Sequence, residues 1–387
     1  MALTDRDLEE LTARAEYLDR LQLPGQADVR PVREPSHTAY VPADRFSAST
    51  VGDWAAEARA LVRDHGSPPF PGAIVEMILA KLVTEPIEDL RVDFEDGYGT
   101  RPDEEEDAHA AAAGAVLRAD APPFFGLRVK SLEPATVRRA ARTLDAFLTA
   151  LGPPPETFVV TFPKATSAGH ADAAVLLCRQ LEHAHGLTEG VLRFELQVEA
   201  PQAILGADGR CPLPDMIVRS HGRLTGLHYG TYDYSTALGI APAYQSLEHP
   251  VADHAKAVMQ VAAAGTGVHV SDGSTNVIPA GDTAAVHRAW ALHARLVRRS
   301  LERGIYRGWD LHPGHLVTRW GATYEFYRDG VEEASIRLGH YLGRRVRGHL
   351  DEPATARAMA AFLLRGLHCG ALRPAELRHP IEVLEAL

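Results

Sequence analysis

Eight short runs of β-type residues, each followed by a longer helical stretch, constrain the fold of this 387-residue chain more than any other feature. The runs cover residues 38–41, 91–94, 126–129, 158–162, 194–199, 226–230, 267–271 and 305–311. Successive runs begin roughly 30–55 residues apart, which leaves room for a strand and at least one returning helix. Strands that alternate with helices pair in parallel. The pattern therefore predicts an α/β fold, a closed (β/α)8 or TIM barrel, with a doubly wound open sheet as the competing architecture.

Two flanking segments fall outside the alternating pattern. Near the N-terminus, Thr4 and Asp7 have the spacing of a helix capping box, and apolar residues follow at helical spacing. From Tyr324 onward the alternation stops and the apolar residues recur at helical spacing instead. We therefore divide the chain into an N-terminal helical extension (1–35), a barrel (36–320) and a C-terminal helical extension (321–387).

The overall charge and the cysteines exclude several classes of protein. The formal net charge of −11 argues against a general electrostatic affinity for nucleic acid or anionic membranes. No apolar stretch approaches the roughly 20 residues that a bilayer requires, and the first residues do not have the pattern of a signal peptide. The three cysteines, Cys178, Cys211 and Cys369, are widely spaced and odd in number, which is typical of a reducing compartment. We expect a cytoplasmic protein that binds neither nucleic acid nor membrane.

Charged residues stand just beyond the predicted strands. In chain order they are Asp44, Glu95 and Asp96, Arg128 and Lys130, Lys164, Glu199, Asp233, Asp272 and His312. In a barrel the loops that follow the strands converge at one end, so these side chains are predicted to form one site. The simpler alternative is that polar residues mark where each strand leaves the core. Cations after strands three and four and carboxylates after strands five and six favour the converged site.

Glu199 and Asp233 follow neighbouring strands and are candidate metal ligands. Two carboxylates together with water and substrate oxygens suit Mg²⁺ or Mn²⁺, which prefer octahedral oxygen ligation. The alternative is that each carboxylate stabilises the N-terminus of a helix. Arg128 and Lys164 would supply fixed positive charge for a substrate carboxylate or a developing enolate.

Short motifs at these positions resemble a known family. They are Val41-Pro42-Ala43-Asp44, Asp93-Phe94-Glu95-Asp96-Gly97, Leu127-Arg128-Val129, Phe162-Pro163-Lys164, Val198-Glu199-Ala200, Tyr229-Gly230-Thr231-Tyr232-Asp233, Ser271-Asp272-Gly273 and Trp309-Asp310-Leu311-His312-Pro313. In this order they resemble the citrate lyase beta-subunit-like family of metal-dependent carbon–carbon lyases. That family belongs to the pyruvate/phosphoenolpyruvate barrel superfamily, which also holds malyl-CoA lyases, 2-oxo acid aldolases and malate synthases. The resemblance covers roughly residues 36–320 and specifies no substrate.

The resemblance implies a role for each matching residue. Glu199 and Asp233 would bind Mg²⁺ or Mn²⁺, and Arg128 would contact the substrate and its enolate. Glu95 and Asp96 would lie near the water molecules bound to the metal. The family also forms homo-oligomers, which the resemblance alone implies for this chain.

This sequence departs from the family at several positions. Lys130 stands where the family has asparagine, and Ala200 stands where it has threonine or serine. The loop at 95–102 holds no histidine that could act as the acid/base of the aldolase branch. Asp272, Asp310 and His312 are the candidates for that role, and the sequence does not choose among them.

The first hypothesis is a divalent-metal-dependent lyase or aldolase that cleaves a hydroxy acid or a hydroxyacyl-CoA. Its substrate would be a small anion, with Lys164 or Lys130 binding a distal carboxylate. The second is a malate-synthase-like condensation of an acyl-CoA with a 2-oxo acid. The third is a non-catalytic accessory barrel that kept the fold and lost the chemistry.

Overall fold

The predicted barrel is confirmed by the computed structural model, which describes residues 33–343 and 352–387. The helix predicted after Thr4 lies outside the described residues. The strands are β1 (Thr38–Pro42), β2 (Asp89–Asp93), β3 (Phe124–Arg128), β4 (Phe158–Phe162), β5 (Arg193–Val198), β6 (Leu224–Tyr229), β7 (His269–Ser271) and β8 (Trp309–Asp310). All pair in parallel, in the order β7-β6-β5-β4-β3-β2-β1-β8. A parallel bridge between Ser271 and Arg307 joins the two ends and closes the ring.

Helices surround this ring. They are α1 (Thr50–His65), α2 (Gly72–Thr84), α3 (Asp103–Ala119), α4 (Val137–Leu151), α5 (Ala168–Ala184), α6 (Leu213–Arg219), α7 (Thr231–Ala237), α8 (Pro250–Ala263), α9 (Thr283–Glu302), α10 (Pro313–Leu342), α11 (Pro353–His368) and α12 (Ile381–Glu385). The outward-facing residues of the strands and the inward-facing residues of the helices form one apolar core. Among the described residues, no helix has the length and apolarity that crossing a membrane requires.

The C-terminal helices are continuous with the barrel. Helix α10 runs without a break through residue 320, where we placed the boundary of the barrel, and packs against α1, α2, α9 and α11. Trp320 in its middle is fully buried, and its indole N–H donates to the carbonyl of Pro86 at 3.0 Å. The last helix of the barrel and the first helix of the extension are therefore the same element.

Charged residues fill part of the barrel interior. Arg91 on β2 bonds Asp89 on its own strand and reaches across to Glu195 on β5, with Nη2 3.0 Å from Oε2. All three side chains are essentially inaccessible to solvent. Interiors of such barrels usually hold branched apolar side chains. A buried ion pair compensates its desolvation only in good geometry, so these contacts constrain how the strands are arranged.

We expect Gly126 on β3 to tolerate no side chain, because a Cβ there would lie 1.7 Å from the carbonyl oxygen of Val159 on β4. Gly126→Ala should lower the free energy of unfolding by about 3 kcal/mol or more, measured by urea denaturation. Gly52→Ala in α1 is the matched control, because no atom lies within 4 Å of its added Cβ. Alanine is favoured over glycine in helices by up to about 1 kcal/mol, so this control should not lose stability. A wild-type urea midpoint for Gly126→Ala would contradict the close approach of β3 to β4.

Candidate active site

The site residues predicted from strands two to six lie together at the carboxyl end of the barrel. Arg128 is the last residue of β3, Lys164 follows β4 by two residues, and Glu199 directly follows β5. Asp233 lies in the first turn of α7, which begins two residues after β6 ends. Because β5 and β6 are paired neighbours, the two predicted metal ligands stand on adjacent strand ends.

Arg128 is held by a buried carboxylate that our sequence analysis did not single out. Its Nε and Nη2 donate to the two carboxylate oxygens of Asp93 on β2, both at 2.7 Å. The guanidinium carbon lies 5.1 Å from the ring centre of Tyr40 and 6.0 Å from that of Trp309. Its Nη1 lies 3.3 Å from Glu95 Oε2. A bidentate partner and two aromatic faces thus fix the orientation of the arginine.

Glu199 is almost completely buried, with 5% of its surface exposed. One oxygen accepts the backbone N–H of Lys164 at 2.8 Å. Lys164 has a φ of +58°, in the left-handed region that non-glycine residues seldom occupy, and this conformation directs its N–H toward the carboxylate. Gly230 provides the space beside Glu199, because a Cβ there would lie 2.3 Å from the Glu199 Cβ.

The side chain of Lys164 links three further carboxylates. Its Nζ lies 2.7 Å from Glu95 Oε1, 3.4 Å from Asp96 Oδ1 and 3.7 Å from Asp233 Oδ2. Partial burial lowers the pKa of this ammonium group, but the neighbouring carboxylates outweigh burial and raise the pKa. Lys164 therefore stays charged and partly neutralises the cluster.

The cluster carries more negative than positive charge. Its carboxylates are Asp93, Glu95, Asp96, Glu199 and Asp233, and its cations are Arg128 and Lys164. Burial, followed by repulsion from Glu95 and Asp233, raises the pKa of the Glu199 carboxyl to about 8. Burial and Asp96 also raise the pKa of Glu95.

This donor set fits a divalent cation. The excess negative charge lies on hard carboxylate oxygens, which are the ligands that Mg²⁺ and Mn²⁺ prefer. Burial and the neighbouring carboxylates raise the pKa of Glu199, and a further cation beside it would favour its charged form.

Lys130, a predicted substrate-binding residue, contacts other groups. Its ammonium donates to the carbonyls of Phe94 and Gly99 at 2.8 and 3.2 Å and to Glu106 Oε2 at 2.8 Å. Glu106 lies in α3 and is fully buried. These contacts tie the end of β3 to the helix layer, so the structure gives Lys130 a role in packing.

Asp272 is enclosed by donors. Its two oxygens lie 2.9 and 3.1 Å from Nζ of Lys256, and the Ser300 hydroxyl also donates to it. Both Asp272 and Lys256 are buried. Both oxygens of Asp272 are therefore engaged by donors from the protein itself.

His312 and Asp310 differ in accessibility. The His312 imidazole accepts the N–H of Gly314 through Nδ1 at 3.0 Å and so caps α10, while Nε2 lies 3.5 Å from Glu57 Oε1. Burial lowers the pKa of His312. Asp310 is fully buried, bonded to His37 at 2.6 Å and to Arg319 at 3.1 Å. Of the three candidates for the acid/base role, His312 alone is partly exposed, with 20% of its side chain accessible, whereas Asp272 and Asp310 are buried.

Gln197 was missed from the sequence, although it is two residues before Glu199 and so on the same face of β5. It is fully buried, and within residues 33–343 and 352–387 neither its amide oxygen nor its amide nitrogen has a hydrogen-bond partner. The hydroxyl of Tyr40, on β1, is likewise buried without a partner. Groups of this kind lower their free energy when a ligand or water bonds to them. The alternation along β5 could have identified Gln197.

Two groups that contain histidines also have ligand atoms close together, but neither includes Glu199 or Asp233. In the first, Glu195, His228 and His269, the Trp309 indole donates to His228 Nδ1 at 2.8 Å, so His228 Nε2 must carry the proton. Arg307 Nη1 donates to His269 Nε2 at 2.9 Å. Burial and the charge of Arg307 lower the pKa of His269 to about 4. The nitrogen lone pairs that a metal would need are therefore already in use.

In the second group, His293, Asp310 and His315, the two imidazole rings are stacked at 4.4 Å with planes 18° apart. Lone pairs in nearly parallel ring planes do not converge on one ion. Arg319 also donates two N–H groups to the Asp310 carboxylate. In both histidine groups, ligand atoms are therefore engaged by donors from the protein itself.

Comparison with protein families identifies the group to which the chain belongs. Residues 13–386 match the model of a domain of unknown function, DUF6986. The chain belongs to the DUF6986 family. No curated protein sequence matches this DUF6986 protein.

Solved structures share its fold. Malate synthase from Haloferax volcanii in a magnesium/glyoxylate complex superposes with a TM-score of 0.55 at 16% identity, covering 92% of this chain and 99% of that one. CitE from Mycobacterium tuberculosis in complex with magnesium, acetoacetate and coenzyme A gives 0.54 at 16% identity, covering 86% and 98%. The pyruvate/acetyl-CoA ternary complex of the same malate synthase gives 0.54 at 16%, covering 89% and 94%. At such identities the likeness confirms the barrel fold that the sequence motifs implied.

We expect the raised pKa of Glu199 to make metal-free protein less stable as pH rises. In the folded state this carboxyl ionises only near pH 8, whereas in the unfolded chain it ionises near its ordinary pKa of 4.5. Between these values the unfolded state loses the proton first, so wild type should lose up to about 4 kcal/mol relative to Glu199→Gln. Urea unfolding in EDTA from pH 5 to 8 measures this difference. Parallel stability curves for the two proteins would contradict it.

Proposed function

We propose that this DUF6986 protein is a divalent-metal-dependent enzyme that breaks a carbon–carbon bond in a small hydroxy acid or its CoA ester. The observation that carries the proposal is the excess of carboxylates around buried Glu199, beside an arginine whose orientation is fixed. Glu199 and Asp233 would hold Mg²⁺ or Mn²⁺, with Glu95 and Asp96 next to the water molecules on the metal. When bound, the metal would supply Lewis-acid charge beside the substrate oxygens.

Arg128 stabilises the charge that develops on the substrate. Cleavage removes the proton of the β-hydroxyl, turns that C–O bond into a carbonyl and moves the electron pair of the broken C–C bond into an enolate. A guanidinium already held by Asp93 needs little reorganisation to bind the enolate oxygen. Gln197 and Tyr40 are assigned to the floor of the site, where their unpartnered polar atoms would bond to the substrate.

His312 is the residue that we assign to proton transfer. Its lowered pKa keeps the imidazole neutral at neutral pH, and Nδ1 would accept the hydroxyl proton once it releases the N–H of Gly314. Asp272 is less suited, because Lys256 and Ser300 already occupy its oxygens. Lys164 is assigned to a distal carboxylate of the substrate. Lys130 receives no such role, because its ammonium contacts Glu106.

Malate-synthase-like condensation of an acyl-CoA with a 2-oxo acid is the second candidate, and the solved structures support it comparably. The malate synthase structures bind magnesium with glyoxylate, or pyruvate with acetyl-CoA, and CitE binds magnesium, acetoacetate and coenzyme A. Exposed apolar side chains lie on the loops at the carboxyl end of this barrel: Leu205, Leu238, Tyr244, Val277, Ile278 and Leu311. Such a rim suits the apolar arm of a thioester. Both reactions pass through an enolate, so the same residues serve either.

We expect metal-dependent release of pyruvate, oxaloacetate or glyoxylate from at least one member of a panel of hydroxy acids and their CoA esters. Hydrazone absorbance measures the 2-oxo acid. The signal should vanish in EDTA and return with excess Mg²⁺. In parallel, thiol release from acetyl-CoA mixed with glyoxylate reports condensation. Thiol release without any release of a 2-oxo acid would favour the second candidate. No signal in either assay at saturating Mg²⁺ would argue for a non-catalytic barrel.

Two variants should separate metal binding from proton transfer. Glu199→Gln removes a ligand charge, so we expect Mg²⁺ affinity, measured by calorimetry, and turnover each to fall at least about 100-fold. His312→Asn keeps a helix-capping residue but removes the imidazole, so turnover should fall about 100-fold with Mg²⁺ affinity unchanged.

The matched control for the metal ligand is Glu189→Gln, which neutralises an exposed carboxylate paired with Arg179. It should leave both affinity and turnover at wild-type values. Full Mg²⁺ binding and turnover by Glu199→Gln would refute the assignment of the metal site.

A further inference from the structure

A cavity of about 580 Å³ lies at the end of the barrel opposite the carboxylate cluster. It is enclosed by the residues that lead into β1, those that lead into β8, and helices α10, α11 and α12. The carboxylate cluster stands at the carboxyl ends of the strands, so this basal cavity is separated from it by the length of the barrel. Its volume is within the range that binds small organic ligands.

Arginines line the basal cavity. Arg307, Arg357 and Arg365 contribute, together with His368, against the acids Glu34 and Glu385. Arg307 is only 9% exposed, yet its Nε has no hydrogen-bond partner among the described residues. Its nearest carboxylate, Glu34, lies at 3.8 Å. A buried guanidinium N–H without an acceptor has a cost that a bound anion would remove.

Arg365 is positioned on an aromatic ring. Its guanidinium carbon lies 4.3 Å from the ring centre of Tyr306, and no carboxylate of the described residues lies within ion-pair distance of it. Tyr327 and Leu364 complete an apolar wall next to these cations. The cavity thus offers positive charge and an apolar surface side by side.

The arginines of the cavity attract the carboxylate of Glu34, whose side chain is 46% exposed. Desolvation by itself would raise the pKa of this carboxyl, but the pKa is lowered, chiefly by attraction to Arg307. A second anion entering the cavity would be stabilised by the same cations. Guanidinium groups bind planar carboxylates and phosphates through paired N–H donors.

We propose that the basal cavity is a binding site for a small organic anion that carries a carboxylate or phosphate on an apolar or aromatic body. The anionic group would bond to Arg307 and Arg365, with Arg357 at the entrance, and the body would lie against Tyr306 and Tyr327. The site is independent of the chemistry proposed for the carboxyl end. Arg307 also holds His269 in the barrel interior at 2.9 Å, so the cation that would bind the ligand is part of the interior network.

Calorimetric titration of the full-length protein with phenyl phosphate tests this site, with inorganic phosphate and phenol as the two partial probes. We expect saturable binding of phenyl phosphate with a Kd below about 1 mM, and at least tenfold weaker binding of either partial probe. Arg365→Gln should weaken phenyl phosphate binding about tenfold or more, since it removes a charge-assisted contact. Arg63→Gln, which removes an exposed arginine paired with Asp64, is the matched control and should bind as wild type.

Arg357→Gln provides a second variant on the exposed wall of the cavity, so the test does not depend on the folding of Arg365→Gln. It should weaken binding severalfold. The proposal is overturned if phenyl phosphate does not saturate the wild type by about 10 mM. It is also overturned if the folded Arg365 and Arg357 variants both bind with wild-type affinity, since binding would then lie elsewhere, including the carboxylate cluster.

Discussion

Parallel pairing around a closed ring is the constraint from which the candidate site follows. Strands that all run in one direction bring residues distant in sequence to one edge. At that edge each polar group holds another: Asp93 on β2 fixes Arg128 on β3, and the amide of Lys164 after β4 fixes Glu199 after β5. The protein itself therefore fixes the orientation of these charges, and fixed charges are the most effective at stabilising a charge that develops beside them.

Much of this arrangement could be predicted from the sequence, because it depends on local pattern. All eight strands were found within a few residues, since apolar runs and following helices have distinct periodicities. The last strand was predicted over seven residues but spans two, because the ring needs only a short contact to join β1. The adjacency of Glu199 and Asp233 followed from strand order alone.

The remainder depends on which side chains pair across space, and no local pattern encodes that choice. Lys130 and Asp272 have the right positions for a site, yet buried Glu106 and Lys256 engage them. Asp93 was overlooked because its role is to accept the hydrogen bonds that orient Arg128, and that pairing is not visible in the sequence. The predicted boundary at residue 320 falls inside α10, because Trp320 is buried and that helix belongs to both the barrel and the C-terminal extension.

The loop after β4 is attached at one residue by two different bonds. Lys164 donates its backbone N–H to Glu199 and its ammonium to Glu95, so both contacts depend on the position of this one residue. Displacing the loop would uncover a buried carboxylate and remove a counter-charge in the same movement. Movement of the loop backbone would therefore also change the electrostatic potential of the site.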